Sequence, residues 1–115
     1  MDYKIIQREI LLSLWKIHIL HHAAEGPVFG FWMLQELREH GYEVSPGTLY
    51  PVLKRMERSG WLRADIPAKK GSRDRRSYRL TAEGRKVLAV VQRQVNELRS
   101  EVIPRSTRKR KAGAR

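Results

Sequence analysis

Residues 44–62 of this chain read VSPGTLYPVLKRMERSGWL, and they say more about its architecture than any other stretch. Ser45 is a preferred residue type for a helix N-cap, and Pro46 follows in the first helical position, where its missing N–H costs nothing. Apolar residues recur at helical spacing until Gly60, a residue type that commonly ends helices. The pattern predicts a helix over residues 46–59. We expect it to bury Leu49, Val52, Leu53 and Met56 and to expose Thr48, Tyr50, Lys54, Arg55 and Arg58.

Two more helical patterns precede this stretch. Residues 4–24 are helix-forming and apolar on most faces, which predicts burial against more than one neighbour. Residues 29–40 predict a second helix, and the four residues that follow it form a turn of the length found in helix-turn-helix motifs. We expect Trp32, Met33 and Leu37 of that helix to face inward. The apolar positions of the first helix are Ile6, Ile10, Leu14, Ile17 and Leu20, widened by Leu11, Trp15 and Ile19.

A hairpin and a last helix follow. Residues 61–66 and 77–80 read as short strands, joined by a basic segment that contains Gly71. Thr81 is placed to cap the last helix. The helix carries an a/d seam of little more than two heptads, which is typical of helices that pair with another helix. The seam consists of Leu88, Val91, Val95, Leu98 and Val102.

This element order is that of a winged helix-turn-helix domain. We predict a mainly α fold with a small β-hairpin. Residues 1–80 would form the winged helix-turn-helix DNA-binding domain with its N-terminal helix, and residues 81–103 a C-terminal dimerisation helix. Residues 104–115 carry six basic residues, no acidic one and no large apolar one. They cannot bury enough surface to offset their ordering entropy, so we predict a disordered basic tail.

The charge of the chain favours an anionic partner. Its 115 residues include 24 Lys and Arg against 12 Asp and Glu, a formal net charge of +12. The absence of cysteine excludes disulfide scaffolds and thiol catalysis. Because the sequence holds no nucleophile elbow, phosphate loop or H-E-x-x-H motif, we expect no enzyme. No apolar run approaches the roughly 18 residues of a membrane span, so we expect a cytoplasmic protein without a membrane partner.

Residues 44–62 closely resemble the recognition-helix signature of the PadR family of transcriptional regulators. The similarity continues through RRSYRLTAEGR at residues 75–85, which resembles that family's second wing strand and the start of its C-terminal helix. Upstream, GPVFGF at residues 26–31 matches imperfectly, because the family commonly has His-Gly-Tyr where this chain has Phe-Gly-Phe. The resemblance covers about residues 8–103.

The resemblance implies a homodimeric repressor that binds a palindromic operator in double-stranded DNA. In the family the C-terminal helix dimerises against the partner's N-terminal helix, and this chain resembles the short subgroup with a single dimerisation helix. The third helix would enter the major groove with Thr48, Tyr50, Lys54 and Arg55, while Ser45 and Gly47 position it against phosphate. The wing would clamp the DNA backbone with Lys69, Lys70, Arg73, Arg75 and Arg76.

A different class of function stays open beside this one. The charges of the hairpin and the tail would by themselves produce a non-specific, architectural nucleic-acid-binding protein. The third helix distinguishes the two, because a sequence-specific regulator should need Thr48 and Tyr50.

The effector of such a repressor has two candidates, and no cofactor is required. Some relatives bind flat aromatic compounds, and here Trp15 and Trp32 offer stacking surfaces unless both are core residues. The other candidate is a divalent ion such as zinc, because His18 and His22 are four residues apart on the first helix and His21 is a possible third ligand. Glu25, His40 or a residue of a second subunit would complete the shell. Alternatively, these histidines only favour the negative end of the helix dipole.

Overall fold

The computed structural model describes residues 1–65 and 76–104 of the chain. Residues 3–25 form one continuous helical rod, made of two short helical segments and a longer helix, since the residues at the junctions keep right-handed helical angles. The elements in chain order are α1 (Tyr3–Ile6), a π-helical segment (Gln7–Leu11), α2 (Leu12–Glu25), β1 (Val28–Phe29), α3 (Gly30–Glu39), α4 (Pro46–Arg58), β2 (Leu62–Asp65), β3 (Ser77–Leu80) and α5 (Ala82–Val102).

The three strands form one antiparallel sheet in the order β1-β3-β2. The predicted hairpin is confirmed as β2 paired with β3, with Leu62 opposite Leu80. The third strand was not predicted: Val28 pairs with Tyr78, and Phe29, which the sequence assigns to the second helix, pairs with Ser77. A strand of two residues is too short to show the alternation that identifies strands in sequence.

One core lies beneath the helices and the sheet. The predicted inward face of α4 is confirmed, since Leu49, Val52 and Leu53 are fully buried and Met56 nearly so. This side packs against α3 and β2, and α2 packs against both α3 and α5. The core is completed by Trp15, Ile19, Leu20, Ala23, Val28, Met33, Leu34, Leu37, Val44, Leu62, Tyr78 and Leu88.

The prediction that Trp32 faces inward is wrong. Its side chain is 46% exposed, whereas Trp15 has no exposed surface. The buried residues of α3 are Met33, Leu34 and Leu37, so the inward face of this helix passes beside Trp32. Trp15 is therefore a core residue, and Trp32 is a surface residue.

The first turns of α5 are capped and packed on the core, whereas the apolar residues of its last turns are exposed. Its N-cap is as predicted, because the Thr81 hydroxyl accepts a 2.9 Å hydrogen bond from the Gly84 amide. Leu88 is only 7% exposed and belongs to the core, so this first residue of the seam packs within its own chain. Val91 is half-buried. The later seam residues, Val95, Leu98 and Val102, are exposed.

Several predictions lie outside the described residues. These are the wing cations Lys69, Lys70, Arg73 and Arg75, and all of the basic tail except Pro104. Among the helices that the structure describes, none is long and apolar enough to cross a membrane.

Candidate nucleic-acid interface and ion site

The turn between α3 and α4 makes these two helices a helix-turn-helix. Gly41 has a φ of +97°, a left-handed conformation that favours glycine. The next residue, Tyr42, is bonded back to α3, because its amide donates a 3.1 Å hydrogen bond to the Leu37 carbonyl. Arg38 then donates from Nε to the Val44 carbonyl over 3.1 Å. These bonds set where α4 begins relative to α3.

The first turn of α4 lies open at the surface. Ser45 occupies the predicted N-cap position with extended backbone, but its hydroxyl does not accept a hydrogen bond from a backbone amide of α4. It lies 3.3 Å from the Thr48 hydroxyl instead. Ser45 and Gly47 are exposed, and Thr48 is half-buried rather than exposed as predicted. An anion can therefore approach the positive end of α4.

Basic residues of α4 and of the wing share one concavity. Lys54, Arg55 and Arg58 are exposed on α4, and Arg76 comes from the chain just before β3. The concavity has a volume of ≈ 600 Å³. We call it the cationic cleft. It is lined by Gly30, Tyr50, Pro51, Lys54, Arg55, Arg58, Arg76 and Tyr78.

Two tyrosines form the floor of the cationic cleft. Tyr50 is half-buried rather than exposed as predicted, because its ring packs over Gly30 so closely that a Cβ there would lie 2.7 Å from it. Tyr78 is buried. Burial raises the pKa of its hydroxyl, and the neighbouring Arg76 guanidinium opposes that rise. Tyr50 and Tyr78 thus support the basic side chains from below.

The base of the wing is held by an ion pair. The Arg79 Nε donates a 2.7 Å hydrogen bond to Asp65 Oδ2, and the Ser77 hydroxyl donates to the same oxygen over 3.3 Å. The hydrogen bond from Arg79 holds the pKa of Asp65 below its usual range. This contact joins β2 to β3 where the wing leaves the sheet.

The histidines of α2 meet α3 at the end where the helix-turn-helix turn begins. One ligand atom each from His18, His22 and His40 lie within 4.8 Å of one another. The His18 and His40 rings are 4.6 Å apart between centroids. Burial lowers the pKa of His18, and the nearby His40 adds to the effect. A lowered pKa favours the neutral imidazole, which is the form that binds metal ions.

A carboxylate lies beside these rings. Glu36 Oε2 is 3.1 Å from His40 Nε2 and 3.3 Å from His22 Nε2. Zinc–ligand bonds of 2.0–2.1 Å place the ligand atoms of a tetrahedral site about 3.3 Å apart, so this spacing suits a shared ion. We call His18, His22, His40 and Glu36 the histidine cluster.

His21 belongs to a different group. Its Nε2 lies 3.5 Å from Glu25 Oε2, and His22 Nδ1 lies 3.7 Å from the other oxygen of Glu25. The structure therefore brings the predicted ligands His18 and His22 together with His40, one of the residues considered for completing the shell. Glu36 was missed. Its spacing of four residues from His40 on α3 is the signal that could have found it.

The aromatic residues divide between core and surface. Trp15 is inaccessible to a ligand. Trp32 stands beside a shallow concavity with Phe29 and Phe31, and its ring meets the edge of His22 at 5.1 Å between centroids. Stacking on an aromatic effector would thus have to use Trp32, not Trp15.

A strip of apolar side chains is exposed along the rod and α5. Ile10 and Leu14 come from the rod, and the last three residues of the seam, Val95, Leu98 and Val102, come from α5. We call these five residues the uncovered apolar face. Leu14 and Val95 also line a groove of ≈ 440 Å³ between α2 and α5.

The family described as "Transcriptional regulator PadR-like family" matches residues 19–90. Transcriptional regulator Rv3488 of Mycobacterium tuberculosis is 48% identical over 96 residues, which cover 84% of this chain and 89% of that protein. A PadR family transcriptional regulator from Eggerthella lenta has a similar structure, with a TM-score of 0.65 at 32% identity, covering 87% of this chain and 91% of the other.

A structure with DNA bound is among the similar folds. Bacillus subtilis PadR in complex with operator DNA has a TM-score of 0.59 at 20% identity, covering 69% of this chain and 45% of that chain. At this identity the likeness concerns the fold alone.

Proposed function

The chain belongs to the PadR-like family of transcriptional regulators, which are DNA-binding proteins and not enzymes, and from this premise we propose that it is a homodimeric repressor. It binds a palindromic operator in the cytoplasm and leaves it when a divalent ion of the zinc class binds the histidine cluster. The observation that carries the DNA-binding part is the cationic cleft, where α4 and the wing present cations to the same space.

The cationic cleft supports a division of labour on DNA. Helix α4 enters the major groove, where Lys54 and Arg55 reach base edges together with Thr48 and Tyr50. Ser45 and Gly47 leave the positive end of the helix open to a phosphate. Arg76 contacts the backbone from the wing, which fixes position without reading sequence.

The uncovered apolar face supports a dimer. Side chains such as Leu98 and Ile10, each more than half exposed, would otherwise stay in water. If the α5 helix of a second copy packed against the rod of the first, it would cover the apolar residues of the rod and bury its own seam residues. Two α4 helices about 34–36 Å apart would then meet successive major grooves.

The histidine cluster supports an ion as the effector. Imidazole suits zinc and other borderline divalent ions, and the nearby Glu36 supplies a carboxylate. Because His40 is the C-cap of α3, an ion held there acts next to the helix-turn-helix turn.

Operator binding is tested by selecting duplexes from a random library and measuring fluorescence anisotropy at two salt concentrations. We expect the selected duplex to bind about a thousandfold more tightly than a scrambled duplex at physiological salt. Arg55→Ala should lower this preference, while Arg93→Ala, an exposed cation on α5, serves as the matched control. Transcription from a promoter that contains the selected site should fall when the protein is added.

The architectural alternative gives a different result. In that case no duplex is enriched, both duplexes bind alike, and binding fades equally as salt rises. Arg55→Ala and Arg93→Ala would then have equal effects.

Ion binding is tested by zinc titration calorimetry on the metal-free protein. We expect about one ion per chain, with affinity reduced at least about tenfold in His22→Ala and His40→Ala. His21→Ala is the matched control and should bind zinc like the wild type. A loss in His21→Ala with none in His40→Ala would instead place the ion on His21, His22 and Glu25.

A further inference from the structure

Tyr42 stands between the histidine cluster and the helix-turn-helix turn. Its hydroxyl shares a 3.2 Å hydrogen bond with His18 Nε2. The ring meets the His18 ring edge-on at 5.4 Å between centroids and the buried Trp15 ring at 6.2 Å. The side chain is half-buried, so this contact is held by packing as well as by the hydrogen bond.

The backbone of Tyr42 belongs to the turn itself. It follows Gly41 at the reversal of the chain and is bonded to the carbonyl of Leu37. Val44, two residues on, is buried and accepts the hydrogen bond from Arg38. Only Ser45 lies between Val44 and the first residue of α4. A shift of Tyr42 therefore reaches the start of α4, because only residues 43–45 lie between them.

We infer that Tyr42 couples ion binding to operator release. This inference rests on the proposed function and names the residue through which the ion acts. A metal ion needs the lone pair of an imidazole nitrogen. If it binds His18 at Nε2, it cannot share that atom with Tyr42, so the hydroxyl is released. The turn then loses the hydrogen bond that ties it to α2, and α4 loses its position for the major groove.

The ion also draws the histidines together. The ligand atoms of His18, His22 and His40 lie within 4.8 Å of one another, and a zinc ion would hold them about 3.3 Å apart. His40 immediately precedes Gly41, so this contraction acts on the end of α3 while the Tyr42 hydroxyl is displaced. Tyr42 is thus a positioning residue: it does not bind the ion or the DNA.

The test is Tyr42→Phe, which keeps the ring on Trp15 and removes only the hydroxyl. Zinc affinity is measured by calorimetry, and operator affinity by anisotropy with and without zinc. Without a competitor for His18, we expect zinc to bind about two- to tenfold more tightly. The variant without zinc should bind the operator as weakly as the zinc-loaded wild type, so zinc should change its operator affinity little.

Tyr3→Phe is the matched control, because the Tyr3 hydroxyl makes no hydrogen bond within the part of the chain that the structure describes. It should behave like the wild type in both measurements. If Tyr42→Phe binds zinc with unchanged affinity and still leaves the operator on zinc addition, the coupling role of Tyr42 is wrong and the proposed function stands. If the wild type gives no zinc heat, the ion effector and this inference fail together, while operator binding is judged separately.

Discussion

Both sides of the N-terminal rod carry apolar residues, but one side is buried and the other is exposed to solvent. On one side, Trp15 and Ile19 are fully buried in the core of their own chain. On the other, Leu14 is 37% exposed and Ile10 is 57% exposed. The same division runs along α5, where Leu88 is buried and Leu98 is exposed.

This difference teaches that an apolar stripe in the sequence indicates how much surface must be buried. It does not indicate whether the same chain or a second copy buries it. The covered side of the rod is the one that faces α3 and the first turns of α5. Beyond those turns α5 extends past the core, and its seam stays open together with the other side of the rod. A single chain of this size has too little core to cover both.

The covered side should carry the largest stability effect. We expect Trp15→Ala to lower the free energy of unfolding by about 3–5 kcal/mol, because it removes a fully buried side chain and leaves a cavity. Urea unfolding at fixed protein concentration measures the loss. Trp32→Ala, on the exposed side of α3, is the control and should cost much less. Equal losses in the two variants would contradict the division between core and surface.

A substitution on the uncovered apolar face should have the next largest effect. It should weaken dimer formation rather than folding. We expect Leu98→Glu to raise the dimer dissociation constant about a hundredfold, because a carboxylate would lose its hydration at the interface. Sedimentation equilibrium measures it, with circular dichroism to confirm that the helices remain. Gln94→Glu adds the same charge at a polar, exposed position of α5 and should leave the dimer intact. A monomeric wild type would refute the role given to this face.

The sequence predicted the helices well because each one is long enough to show its period. The inward face of α4, the Thr81 cap and the hairpin all follow from local patterns and are confirmed. The strand β1 could not be predicted, because its two residues are extended only through pairing with β3. The burial of Leu88 likewise depends on where α2 lies, and local spacing carries no such information.

The candidate sites show the same limit. Lys54 and Arg55 are predicted to be exposed from their positions on one helix, and their exposure is confirmed. Tyr50 looked equally exposed, but the absence of a side chain at Gly30 lets its ring pack down against α3. His18 and His22 were found from their spacing. The approach of His40, Glu36 and Tyr42 to them joins residues about twenty positions apart, which only the fold determines.

Near the start of α5, Gly84 packs so closely on Trp61 that the addition of one methyl group tests the contact. A Cβ on Gly84 would clash with the Trp61 carbonyl oxygen, and this neighbour is backbone that cannot easily move. We expect Gly84→Ala to cost about 1–3 kcal/mol of unfolding free energy. Gly47→Ala is the control, because its Cβ would meet only the Ser45 hydroxyl at 3.9 Å. Thermal unfolding of both variants measures the two losses, and a loss confined to Gly47→Ala would contradict the close packing of Gly84 on Trp61.

The smallest effect should come from the exposed ion pair at the base of the wing, where no burial reinforces the contact. The hydrogen bond from Arg79 lowers the pKa of Asp65 in the folded chain, so the pair stabilises the fold above the pKa of the unfolded chain, about 3.9. As pH falls further, through the lowered folded pKa, both states become protonated and the contribution is lost. Asp65→Asn should therefore lower Tm slightly at pH 7, and the difference from wild type should vanish in strong acid. Glu43→Gln, which neutralises an exposed carboxylate elsewhere, controls for net charge. A difference that persists unchanged in acid would mean that the Asp65 side chain acts through packing rather than through its charge.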